Sequence, residues 1–64
     1  MKTLVVVYNA DDTIRTGWIV DGHACIDFAL WEVYEWYMIL TGLGYPVRIR
    51  QHDSGGGYTK YIDY

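Results

Sequence analysis

The side chains able to do chemistry lie in three short stretches of the chain. His23, Cys25 and Asp27 alternate in His23-Ala24-Cys25-Ile26-Asp27, and His52-Asp53 follows much later. Imidazole, thiolate and carboxylate are zinc ligands, and a thiol beside an imidazole can act as a nucleophile pair. Either use requires the two stretches to meet in space. A zinc ion needs three or four converging ligands, and a Cys25/His52 pair also needs a pocket and oxyanion donors. The spacing matches no zinc framework. The expectation is therefore no metal, no cofactor and no catalytic residue, with Cys25 a free thiol buried at the start of a helix.

Ser54-Gly55-Gly56-Gly57 offers backbone amides of the kind that cradle a phosphate. Phosphate loops, however, run from a strand into a helix and carry a lysine or a defined glycine spacing. This run leads into an alternating apolar stretch, which fits a hairpin tip. Just before it, Arg48 and Arg50 alternate with Val47 and Ile49, and Tyr61 falls in the stretch that follows. Guanidinium groups beside a tyrosine stack on bases and pair with phosphates, so Arg48, Arg50 and Tyr61 form a candidate nucleotide- or oligonucleotide-binding strand face. Asp63 shares the Tyr61 side and neutralises part of it, as in an ordinary cross-strand cluster. Lys60 falls on the other side, with Tyr58 and Ile62.

The elements that must position these groups follow from periodicity and turn residues. Residues 3–8 are apolar on both faces, as in a central strand, and Asn9-Ala10-Asp11-Asp12 reads as a turn. Residues 14–20 set Ile14, Thr16, Trp18 and Val20 against Arg15, Gly17 and Ile19, the second arm of a hairpin that breaks at Asp21-Gly22. Residues 25–41 lack Pro and Gly and read as one helix about 25 Å long. Asp21 or His23 would cap it and Asp27 would lie in its first turn. Gly42, Gly44 and Pro46 stop it. Residues 46–51 and 58–63 alternate again and form a second hairpin. The expected fold is α+β in the order ββαββ: one domain over residues 1–64, a four-stranded, mainly antiparallel sheet with one helix packed across one face.

That helix carries two apolar stripes. Ile26, Ala29, Leu30, Val33, Tyr37 and Leu40, flanked by Tyr34 and Trp36, are expected to cover the sheet. The other side bears Phe28, Trp31, Met38 and Ile39 among Asp27, Glu32 and Glu35. One helix on one sheet cannot bury both, and large apolar side chains left in water forgo roughly 1.5–3 kcal/mol each. Phe28, Trp31, Glu32, Glu35, Met38 and Ile39 are thus the expected interface for a second copy of the chain or for a protein target.

Composition agrees with a binding role. The 64 residues are 52 % hydrophobic and 17 % aromatic, with only 20 % charged and a single cysteine. So short a chain buries only about 60 % of its unfolded surface, which leaves little room for a catalytic pocket. With no possible intramolecular disulfide, stability must come from packing or from other chains, and a reducing, cytoplasmic setting is expected. The net charge of −3 disfavours non-specific binding to nucleic acid. The cations Arg48, Arg50 and Lys60 nevertheless collect after residue 42, where only Asp53 and Asp63 oppose them. No apolar run is long enough to span a membrane, and the short run at the start lacks the features of a signal peptide.

The function expected is that of a small, non-catalytic protein-interaction module, an inhibitor or adaptor acting through the helix face as a homo-oligomer. By analogy it has the makeup of stand-alone inhibitors of the phage type. Two alternatives are a nucleotide or oligonucleotide binder using Arg48, Arg50 and Tyr61, and a structural subunit of a larger assembly.

Overall fold

Leu4, Val5 and Val6 follow one another with no polar residue between them, so a strand built from them needs cover on both faces. It takes the centre of the sheet. A computed structural model describes all residues from Met1 to Tyr64 and gives β1 (Lys2–Tyr8), β2 (Ile14–Asp21), β3 (Ala24–Asp27), α1 (Leu30–Gly42), β4 (Val47–Gln51) and β5 (Tyr58–Asp63). The strands form one five-stranded sheet in the order β3-β2-β1-β5-β4, antiparallel throughout. The fold is α+β, with one strand more than the four expected.

The added strand comes from the segment assigned to the start of the helix. The break at Asp21-Gly22 is a hairpin whose two loop residues are Gly22 and His23: Gly22 takes φ +55°, which glycine adopts without a Cβ penalty. The chain turns back and pairs Ala24 with Asp21, Cys25 with Val20, Ile26 with Ile19 and Asp27 with Trp18. Asp27 is therefore a strand residue, and neither Asp21 nor His23 caps the helix. α1 begins after Ala29, which makes no side-chain cap, and Glu32 supplies the acidic group of its first turn. Its length of about 20 Å matches the width of about 19 Å between the edge strands β3 and β4. A shorter helix thus suffices to carry the chain from one edge to the other.

β2 departs from simple alternation as well. Val7 pairs with Thr16 but Tyr8 pairs with Ile14, so Arg15 is an extra residue in a bulge. Ile14 therefore joins Gly17 and Ile19 on the helix side, while Thr16, Trp18 and Val20 face away.

The core lies between the sheet and α1. Leu4, Val6 and Tyr8 of β1, Ile14 and Ile19 of β2, and Ile62 of β5 meet Val33 and Leu40 of the helix. Phe28, Trp36 and Tyr37 pack around them. The stripe expected to cover the sheet is thus only partly correct. Val33, Tyr37 and Leu40 serve it, whereas Ile26 lies on β3 and Ala29 precedes the helix. Leu30 remains 47 % exposed. No helix is long and apolar enough to cross a membrane.

Candidate functional site

The chemically capable residues of the first and last stretches do not meet. Cys25 lies on edge strand β3, and His52 follows edge strand β4 on the opposite side of the sheet. Four strand spacings separate the two edges, about 19 Å. No three His, Cys, Asp or Glu side chains are placed to share a metal ion. Cys25 is exposed rather than buried, because an edge strand has a neighbour on one side only.

Two surfaces stand out. The first is the outer side of α1, where Trp31 is 61 % and Met38 66 % exposed. Tyr34 and Ile39 are also exposed, and with Glu35 and Met38 they line a shallow apolar hollow of about 390 Å³. Glu32 is half-buried and Glu35 exposed. Phe28 does not belong to this surface. It precedes the helix, its N–H donates to Gly17 O at 3.4 Å, and its ring packs against the core. The strand at residues 24–27 displaces Phe28 from the helical position assumed for it. Tyr34 and Leu43 add apolar area that the expected interface did not include.

The second surface is the sheet face away from α1. One row across it reads Asp27, Trp18, Val5, Tyr61 and Arg48, each opposite the next. Val5 is nearly buried between its aromatic neighbours. The Arg48 guanidinium stands 5.1 Å from the centroid of the Tyr61 ring. It also donates from Nε and Nη2 to the Asp63 carboxylate at 3.0 and 3.1 Å. Asp63 accepts a third bond, from Thr3 Oγ1 at 2.7 Å. Arg48, and then Thr3, hold the Asp63 carboxyl below the usual carboxylate range. Arg48 is thus committed to Asp63 and Tyr61.

Arg50 is different. It stands opposite Thr59 on the same face and forms no ion pair. The Thr59 hydroxyl is held by His52 Nε2 at 2.7 Å. Arg50, Gln51, His52, Asp53, Ser54 and Tyr61 together line a polar cleft of about 400 Å³ at this end of the sheet. Alternation along residues 46–51 and 58–63 placed Arg48, Arg50 and Tyr61 on one face. Trp18 and His52 joined them only through the bulge in β2 and the pairing of β4 with β5.

A third cluster fixes the helix to the sheet. Tyr8 and Tyr58 face each other across β1 and β5 with rings stacked at 4.6 Å. The Lys60 ammonium lies 5.0 Å from the ring centroids of both Tyr8 and Tyr37, and donates to Tyr37 Oη at 3.0 Å. That hydrogen bond raises the Lys60 pKa against the opposing effect of burial. Lys60 therefore reaches into a tyrosine cluster between the layers.

No known protein family, characterised protein or solved structure matches the chain.

Proposed function

We propose that this protein is a non-catalytic interaction module that assembles through the outer face of α1, in the manner of a small inhibitor or adaptor. The chain seated on that face is a second copy. The observation behind this reading is the cluster of Trp31, Tyr34, Met38 and Ile39 left in water on one side of the helix. With Leu30 and Leu43 at its ends the patch exposes on the order of 600 Å² of side chain, most of the ~800 Å² that each partner gives to a standard interface. A two-fold pairing covers the same patch on both copies at once. The sheets then lie outside and the helices inside, with the Trp18–Tyr61 face of each copy turned outward.

Charge separates self-association from capture of another protein. Glu32 borders the patch, Glu35 lines the hollow within it, and α1 carries no Lys or Arg. Two copies bring these carboxylates together, so added salt tightens a dimer, whereas a complex with a basic partner loosens. Sedimentation velocity over a concentration series, at low and high salt, reads both effects. The expected result is a dimer that strengthens with salt, and a monomeric but folded Trp31→Ser/Met38→Glu variant. A wild-type chain that stays monomeric at every concentration and salt level sinks the self-association reading.

A further inference from the structure

The cleft at the end of β4 and β5 lies on the opposite side of the sheet from α1, so any ligand there is independent of assembly through the helix. Its volume of about 400 Å³ falls within the ~300–1,000 Å³ range of small-molecule sites. We infer that this cleft binds a ribonucleoside monophosphate.

Three features of the lining point to that class. The first is a single uncommitted cation. Of the two arginines on this face, Arg48 is neutralised by Asp63, whereas Arg50 has no carboxylate partner. A guanidinium in that state is a bidentate donor awaiting a phosphate or carboxylate. One such group suits one phosphate; a polyanion would require a row of them, and the chain as a whole is acidic.

The second feature is a set of neutral donors beside Arg50. Ser54 offers its hydroxyl and its amide, which donates to no other backbone group of the chain. The Thr59 contact holds the His52 ring through Nε2, leaving Nδ1 for a ligand. The third feature is the pairing of an acid with an aromatic ring. Asp53 in the lining opposes a bare anion, but a carboxylate also accepts from ribose hydroxyls. Tyr61 is the one aromatic ring of the lining; Arg48 stands 5.1 Å from its centroid, and a base would stack on the side that Arg48 leaves. Phosphate, ribose and base thus each find a partner within six residues of the cleft, and neither a free phosphate nor a nucleoside uses them all.

The test is a calorimetric titration of the intact chain with each of the four ribonucleoside monophosphates, and with inorganic phosphate and adenosine as the two fragments. At least one nucleotide is expected to bind roughly tenfold or more tightly than either fragment. Arg50→Met, which keeps the aliphatic stem on an exposed site, should weaken that binding by roughly tenfold or more. Arg48→Met removes the same charge outside the cleft and should have a clearly smaller effect. Amide shifts on titration should centre on residues 50–54 and 61. Equal affinity for phosphate and nucleotide would reduce the cleft to an anion site and overturn the proposal. So would unchanged binding by the Arg50 variant, or no binding by any nucleotide at millimolar concentration. Much tighter binding of a single-stranded oligonucleotide with a steep salt dependence would also overturn it, in favour of a polyanion surface.

Discussion

Val33 rests on the bare backbone of Gly17. A Cβ at Gly17 would stand 2.6 and 2.8 Å from the two methyl groups of Val33, and Val33 is fully buried. The closest approach of α1 to the sheet is therefore set at the one position of β2 that has no side chain. Real Cβ atoms do not tolerate such separations, so Gly17→Ala must push the helix away or distort the strand. The expected loss is about 1–3 kcal/mol, typical of overpacking. Val33→Ala alone loses about 2–3 kcal/mol through reduced burial and a cavity. In the double variant the new methyl enters the space vacated, and the combined loss should fall below the sum. Urea unfolding of the four chains measures the coupling; strict additivity would show that the contact does not position the helix.

The Lys60–Tyr37 bond makes stability depend on alkaline pH. A lysine whose pKa is raised in the folded state stabilises fully below its unfolded pKa, and the contribution disappears as pH rises through the folded value. The window opens above about pH 10.4. Tyr8 acts in the same direction, because burial raises its pKa and ionisation opposes folding. Lys60→Met keeps the stem between the rings and removes the proton. Its urea midpoint should lie below that of the wild type near neutral pH, with the gap narrowing above about pH 10.4. A gap of constant size across that window would assign the lysine a packing role alone.

The acid side is governed by Asp63. Its lowered pKa, due first to Arg48 and then to Thr3, gives stability that is present above the unfolded carboxyl value and lost as pH falls through the folded one. That window lies below about pH 3.9. Asp63→Asn keeps the shape but not the charge. The variant should be less stable than wild type at neutral pH and should converge on it in acid. The exposure of the cluster favours a small difference. Parallel midpoint curves down to the acid limb would show that the triad of Thr3, Asp63 and Arg48 is not coupled to folding.

How far these relationships could be read in advance depends on whether they are local. The alternation of Val47, Arg48, Ile49 and Arg50 is local, and it placed both arginines on one face correctly. The sheet and its single helix followed from the same kind of pattern. Asp21-Gly22 is equally local, but the residues after it, Ala24-Cys25-Ile26-Asp27, suit a strand or the first turns of a helix. Only pairing with β2 decides between them. With that strand removed from the helix, Phe28 left the outer face and Cys25 moved to an edge. The bulge at Arg15 is likewise a property of two strands together, and it alone turns Trp18 toward Tyr61. The cleft around Arg50 adds a loop residue, His52, fixed by a hydrogen bond to Thr59 on the neighbouring strand.

Tyr64 shows a cost within this packing. Its ring lies 6.0 Å from Trp36 and 6.1 Å from Tyr45, and its backbone exchanges two hydrogen bonds with Lys2. The hydroxyl, in contrast, is buried with no protein partner. Desolvation raises its pKa, because the phenolate would be still harder to accommodate. A buried hydroxyl without a bond is destabilising by about 1–3 kcal/mol relative to one that is satisfied. Tyr64→Phe keeps both ring contacts and the backbone pair while removing the orphaned group. Thermal melts should show the variant as stable as wild type or more so by up to about 1 kcal/mol, a rise of at most roughly 4–8 °C. Tyr64→Leu, which also gives up the aromatic contacts, should melt lower than both. A clear loss of stability in Tyr64→Phe would mean that the hydroxyl is bonded in solution, and the packing around Trp36 would have to admit its partner.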